Sequence, residues 1–174
     1  MIENYAIDMF TIPLLHLKVK NWNSKKILLL DMMSNGMDYF TQKDSIDLHL
    51  SNNKIQSILE EELNLFADHF GFTEYRILIS WFATAKRGDY HSVHSHSSIG
   101  YSSVCYVDYD INHHKSTEFI APFNNFLTGN NLFYIPEVEE GSIIFFPSSI
   151  LHYANPNQSE KERSILAFNL DVKN

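Results

Sequence analysis

EEGSIIFFPSSILHYANPNQSEKERSILAFNL (residues 139–170) turns at Gly141, runs through an apolar stretch to Pro147, reaches His152, and re-enters an apolar run at Arg163. The runs SIIFF and SILAF are built from β-branched, aromatic and aliphatic residues and are bounded by Gly, Pro and Asn, the pattern of short strands joined by turns. Two ionisable residues stand out against that background. His152 follows one apolar strand, and Arg163 sits inside the next. An arginine flanked by apolar residues needs an anionic partner, and a carboxylate held bidentately is the natural one. Glu160 and Glu162 offer an ordinary ion pair, but Arg163 lies after them, inside the strand, which points to a bound anion instead.

The same strand pattern extends upstream. TEYRILISWFATA (73–85), IGYSSVCYVDY (99–109), STEFIAPF (116–123) and NLFYIPEV (131–138) are short, evenly spaced and separated by polar or Gly/Pro turns. In the first, alternation puts Ile77, Ile79 and Trp81 on one side and Leu78 and Phe82 on the other. PFNNFLTGNNLFY (122–134) reads as a long mobile loop of the kind that covers a substrate. Before residue 73 the period changes. KIQSILEEELNLFADHFG (54–71) spaces Ile55, Ile58, Leu59, Glu62, Phe66 and Phe70 helically, with Gly71 where a C-terminal stop belongs. SKKILLLDMMSN (24–35) reads as a short helix opening on Ser24. MFTIPLLHLKV (9–19), broken by Pro13, reads as a first or edge strand, and residues 41–53 are polar. The expectation is one domain over 1–174, mainly β with N-terminal helices, as a sandwich or barrel. A strand and supporting helices occupy 1–72 and the β core 73–174.

Bulk composition narrows the function. The 174 residues are 44% hydrophobic and 14% aromatic with a net charge of −8, which describes a folded, acidic chain and argues against an electrostatic nucleic-acid binder. One cysteine, Cys105, forms no internal disulfide and reads as a small buried hydrophobe. The N-terminus has no signal-peptide pattern and no apolar run reaches membrane-span length, so a cytoplasmic location is expected. A homodimer through a sheet edge is compatible with this composition.

DYHSVHSHSSIGYSSVCYVDYD (89–110) places His91, His94 and His96 within six residues. A sheet sandwich brings distant residues to one mouth, so His94 or His96 can meet His152, 58 residues beyond His94 (152 − 94). Imidazole is the commonest transition-metal ligand. Two or three histidines with open coordination positions favour redox-active Fe(II) over a closed structural zinc, which takes thiolates. His91 reads as a solvated loop residue, as do His113 and His114, and His16, His49 and His69 carry no partner pattern. Trp81, Phe145 and Phe146 read as core, and Tyr101 and Tyr106 as core or rim aromatics.

The order formed by HSHSSIGYSSVCYV (94–107), EEGSIIFFPSSILHYANPN (139–157) and RSILAFN (163–169) resembles the 2-oxoglutarate–Fe(II) oxygenases of the double-stranded β-helix, or jelly-roll, superfamily, and MFTIPL resembles that family's opening strand. The resemblance covers most of the chain. It implies that His94 and His152 are iron ligands and that Arg163 holds the distal carboxylate of the cosubstrate 2-oxoglutarate, with Tyr106 as a further cosubstrate contact. Decarboxylation to succinate then drives hydroxylation of a C–H bond in a small-molecule or protein substrate. Two departures matter. Where the wider superfamily has H-x-Asp or H-x-Glu, this chain has His94-Ser95-His96, so either His96 takes the third position, or that position is empty or filled by a more distant acid such as Asp89 or Asp108. Ser164 follows Arg163 directly, where relatives often have Arg-x-Ser. Two rival functions remain: a non-catalytic jelly-roll binding protein, and a three-histidine dioxygenase of the cupin kind that has no use for Arg163. A zinc hydrolase lacks a motif placing an acid/base carboxylate beside the histidines.

Overall fold

The structure is a computed structural model that describes residues 11–34 and 48–174. Met9 and Phe10 of the expected first strand, Asn35 of the first helix and residues 41–47 of the polar stretch lie outside them. The elements run β1 (Leu15–Lys18), α1 (Trp22–Ser34), α2 (Leu48–Ile58), α3 (Glu60–Phe70), β2 (Glu74–Ala85), β3 (His91–His94), β4 (Tyr101–Asp108), β5 (Thr117–Asn124), β6 (Asn131–Tyr134), β7 (Ser142–Pro147), β8 (Leu151–Ala154) and β9 (Arg163–Lys173). A five-stranded sheet in the order β1-β7-β4-β9-β2 faces a four-stranded sheet in the order β3-β8-β5-β6. All pairings are antiparallel. This interleaving of sequential strands between two sheets is a jelly roll.

The central strands of the large sheet are apolar on both faces because each face covers a separate core. Val104 and Tyr106 of β4, Ile144 and Phe146 of β7 and Ala167 of β9 pack between the sheets with Phe119. Their neighbours Cys105, Val107, Ile143, Phe145, Leu166 and Phe168 point the other way, against Leu29, Ile55, Leu59, Leu63 and Phe66 of the helices. The period-2 pattern sorts residues between these layers. Phe66 stacks on Phe145 with centroids 4.6 Å apart, and burying each such side chain contributes about 1.5–3 kcal/mol. Burial also fixes Cys105 as an unreactive thiol, its pKa raised by desolvation.

The expected helix over 54–71 is two helices, with Leu59 off helical geometry between them. Gly71 ends α3 at φ 74°, donating its N–H to the Ala67 carbonyl, a left-handed stop that glycine adopts without strain. Glu62 is fully buried in α3 and accepts bonds from the Lys20 amide at 2.9 Å and the Lys25 ammonium at 2.8 Å, tying α3 to the start of α1.

Other expectations change. In β2 a bulge between Ile77 and Ile79 shifts the register. Ile77 and Phe82 are therefore buried toward the helices, Leu78 and Ile79 are exposed, and Trp81 faces the other sheet. The stretch 122–134 is not a long loop: β5 and β6 pair as a hairpin from Phe119↔Tyr134 to Asn124↔Asn131. His16 lies on β1, in register with Ile144, within the stretch expected as the first strand.

Candidate metal centre

The three histidines come together because β3 and β8 pair at one end of the small sheet, with His94 directly in register with His152. His96 follows the end of β3, and its backbone amide is held by the Ser148 carbonyl at 3.0 Å. One ligand atom from each of His94, His96 and His152 lies within 4.8 Å of the others. The Nδ1–H of His94 donates to the Ser92 carbonyl at 2.7 Å and that of His152 to the Ile150 carbonyl at 2.9 Å. These bonds fix the tautomer and leave each Nε2 lone pair for a metal. His96 Nε2 and His152 Nε2 stand 3.2 Å apart. Metal–nitrogen bonds of about 2.1 Å place neighbouring ligands at right angles about 3 Å apart, so the spacing suits one shared ion. Burial, with the neighbouring imidazoles, pushes His96 down to about 4, and burial does the same to His152 against the opposing bond to Ile150. Both rings are therefore neutral at pH 7, the form that binds metal.

Trp81, read as core, is half-buried with its ring 5.3 Å from His96. Phe146 and Phe119 close the inner side of His152 at 4.9 and 5.9 Å. Asp89 and Asp108 are engaged elsewhere: Asp89 accepts the Lys86 amide at 2.9 Å, and Asp108 lies 3.7 Å from the Lys26 ammonium. Among the described residues the ligand cluster around His94 is purely imidazole.

Beside the cluster a pocket is lined by Arg163, Tyr106, Thr117, Tyr90 and His91, with Ala83, Ala85, Ala154 and Ile165 as low apolar walls. Arg163 is 6% exposed, and its Nη1 donates to the Lys115 carbonyl at 2.7 Å. Among the described residues no carboxylate is recorded as its salt-bridge partner, and Glu160 pairs with Arg87. Burial disfavours its charge and lowers its pKa. A guanidinium buried without a counter-ion is a ready site for an anion. The Tyr106 hydroxyl, 1% exposed as a residue, donates to Thr117 Oγ1 and accepts the Thr117 amide, both at 3.1 Å. Burial pushes its pKa up, so it stays neutral. Ser164 points away, its hydroxyl 3.0 Å from that of Thr84, and Ile165 takes the pocket-facing position on β9.

Two histidines differ from their sequence reading. His91 is half-buried in this pocket rather than solvated. His114 is 8% exposed, its Nδ1 accepting the Asp110 amide and its Nε2 donating to the Lys161 carbonyl, while its neighbour His113 pairs with Asp110 at the surface. Thr117 and the small alanines of β2 also line the site and carry no signal in the sequence beyond their strand positions.

A jelly roll with converging imidazoles at one end, and at the start of its last strand an arginine with no carboxylate partner among the described residues, has the arrangement of a metal-dependent jelly-roll enzyme. The family model described as "Putative 2OG-Fe(II) oxygenase" matches residues 79–169, just over half of the 174 residues, and the chain belongs to that family. It is a 2-oxoglutarate- and Fe(II)-dependent oxygenase, with iron and 2-oxoglutarate as its cofactors.

The viral collagen prolyl hydroxylase of Paramecium Bursaria Chlorella virus-1 superposes with a TM-score of 0.60 at 16% identity, over 99% of this chain and 98% of that one. HygX from Streptomyces hygroscopicus, with nickel and 2-oxoglutarate bound, gives a TM-score of 0.62 at 12% identity, over 92% and 82%. These likenesses are of fold. An oxidoreductase of the 2OG-Fe(II) oxygenase family from Burkholderia pseudomallei matches at 17% identity and a TM-score of 0.49, over 66% of this chain and 58% of that one. A comparison with curated proteins found no match.

Proposed function

We propose that this oxygenase hydroxylates a C–H bond of a small-molecule or protein substrate, with His94, His96 and His152 holding the iron and Arg163 and Tyr106 holding 2-oxoglutarate. The observation that carries this reading is Arg163, buried in a pocket beside the imidazole cluster with no carboxylate paired to it among the described residues. A three-histidine site that used no cosubstrate would have no need of it.

When bound, iron and 2-oxoglutarate would supply the oxidative chemistry, with dioxygen as the oxidant: one of its oxygen atoms goes to succinate as carbon dioxide leaves 2-oxoglutarate, and the other enters the substrate C–H bond. The chain contributes position and exclusion of water. Its backbone carbonyls at Ser92 and Ile150 aim His94 and His152. The Lys115 carbonyl orients the Arg163 fork. Thr117 holds the Tyr106 hydroxyl at the pocket wall. Ala83, Ala85 and Ala154 leave room beside these polar groups, and Trp81 shields His96.

The second reading, a cupin-type dioxygenase, is favoured by the absence of a carboxylate from the three-imidazole set. Anaerobic titration of metal-free protein with Fe(II) and then 2-oxoglutarate separates the two. A visible iron-to-oxoglutarate charge-transfer band, absent in His152→Ala and requiring far more cosubstrate in Arg163→Ala, supports the oxygenase reading. Iron binding with no band at any cosubstrate concentration overturns the assignment of Arg163 and supports the cupin-type reading.

A further inference from the structure

His91 and His94 are three positions apart, and in a regular strand such residues point to opposite faces. Here β3 is irregular. Its pairing with β8 passes from His91↔Ala154 to His94↔His152, so three steps on β3 match two on β8. The extra residue turns both rings to the same side, where they stack with centroids 4.6 Å apart and planes 24° from parallel. A bulge is a recurrent way of re-aiming a side chain beside an active site.

The re-aimed ring reaches the pocket that holds Arg163. His91 shares its lining with Arg163, Tyr106 and Thr117, while its other side rests on His94. It thus connects the imidazole cluster to the guanidinium pocket. Among the described residues, no carboxylate lines that pocket. Because His91 both lines the Arg163 pocket and stacks on His94, a dianion held between a metal on His94 and Arg163 would meet its ring, and a neutral imidazole carries one N–H donor.

We propose that His91 is a cosubstrate-binding residue, donating a ring N–H to 2-oxoglutarate between its metal-bound end and its Arg163-bound end. This rests on the cosubstrate site proposed above.

Two substitutions separate the donor from the stacked ring. His91→Phe keeps a ring against His94 and removes the N–H, and His91→Gln keeps an N–H and removes the ring. Wild type, both variants and Arg163→Ala are titrated anaerobically with Fe(II) and then with 2-oxoglutarate, reading iron affinity, cosubstrate affinity and the position of the charge-transfer band. The expected result is iron affinity in His91→Phe within about twofold of wild type, 2-oxoglutarate binding about tenfold weaker, and a shifted band, since a hydrogen bond to a charged group is lost. His91→Gln recovers most of the cosubstrate affinity. Where His91→Phe does not fold, His91→Ala takes its place against His91→Gln.

Wild-type cosubstrate affinity and band position in His91→Phe, with weakened binding in Arg163→Ala, overturns the role of His91 and leaves the cosubstrate site standing. Loss of iron from His91→Phe also overturns it, because the ring then acts only through His94. No 2-oxoglutarate binding to wild type, or none of the variants differing from it, overturns both.

Discussion

His94 and His152 sit directly opposite each other across the β3–β8 pair, with ring centroids 4.4 Å apart. Each donates its Nδ1–H to the backbone carbonyl two residues before it, Ser92 for one and Ile150 for the other. The two strands therefore present the same ligand geometry twice, from chain segments 58 residues apart (152 − 94).

Replacing either ring should remove the metal. His94→Ala and His152→Ala are each expected to weaken Co(II) or Fe(II) binding by more than about 100-fold, beyond the 10–100-fold typical of outer-shell losses. Isothermal titration of the metal-free variants checks this. Binding within tenfold of wild type in either would remove that residue from the ligand set.

His96 offers a sharper test, because its replacement can add what the site lacks. His96→Asp introduces a negative charge beside two neutral imidazoles and is expected to tighten Fe(II) binding by about tenfold, through attraction to the dication and the preference of iron for mixed nitrogen and oxygen donors. Unchanged affinity would place residue 96 outside the coordination sphere.

Glu62 predicts stability rather than activity. Glu62→Ala leaves the Lys20 amide without its partner, and leaves the Lys25 ammonium, whose side chain is 14% exposed, with only the more distant Glu61 carboxylate at 3.8 Å. Breaking a buried pair from one side costs about 3–5 kcal/mol. The exposed Arg76–Asp171 pair is the control, since its loss in Asp171→Ala should cost less than about 1 kcal/mol. Urea unfolding of the two variants checks the contrast, and equal losses would contradict it.

Two small residues give opposite signs. Gly100 has φ +82°, and a Cβ there would stand 2.5 Å from the Leu170 carbonyl oxygen, so Gly100→Ala should destabilise by about 1–3 kcal/mol. The Ser103 hydroxyl is buried with no hydrogen-bond partner among the described residues, so Ser103→Ala should be neutral or stabilise by up to about 1 kcal/mol. Thermal unfolding reads both. Destabilisation in Ser103→Ala would reveal a partner for its hydroxyl.

Much of this architecture was legible locally. The strands at 142–147 and 163–173 announce themselves by β-branched and aromatic residues between turn formers, and α3 by helical spacing ending on Gly71. Strands β3 and β8 did not, since four residues each, rich in His and Ser or broken by Tyr, carry no period long enough to recognise. The β5–β6 hairpin was hidden for a related reason: its uncharged Asn-rich turn and exposed aromatics resemble a loop until the two strands pair.

The amino-acid order by itself determined the longer strands and the helical character of the N-terminal part, the layered helix-plus-sheet class, and the succession of histidines and arginine, because propensity and periodicity act over a few neighbouring residues. Tertiary structure alone decided which of those side chains share a site. A bulge in β3 turned His91 into the pocket, a bulge in β2 reversed which residues face the helices, and the fold buried Arg163 with no carboxylate paired to it among the described residues. Pairing register is set between strands distant in the chain, and a shift of one residue moves a side chain to the opposite face.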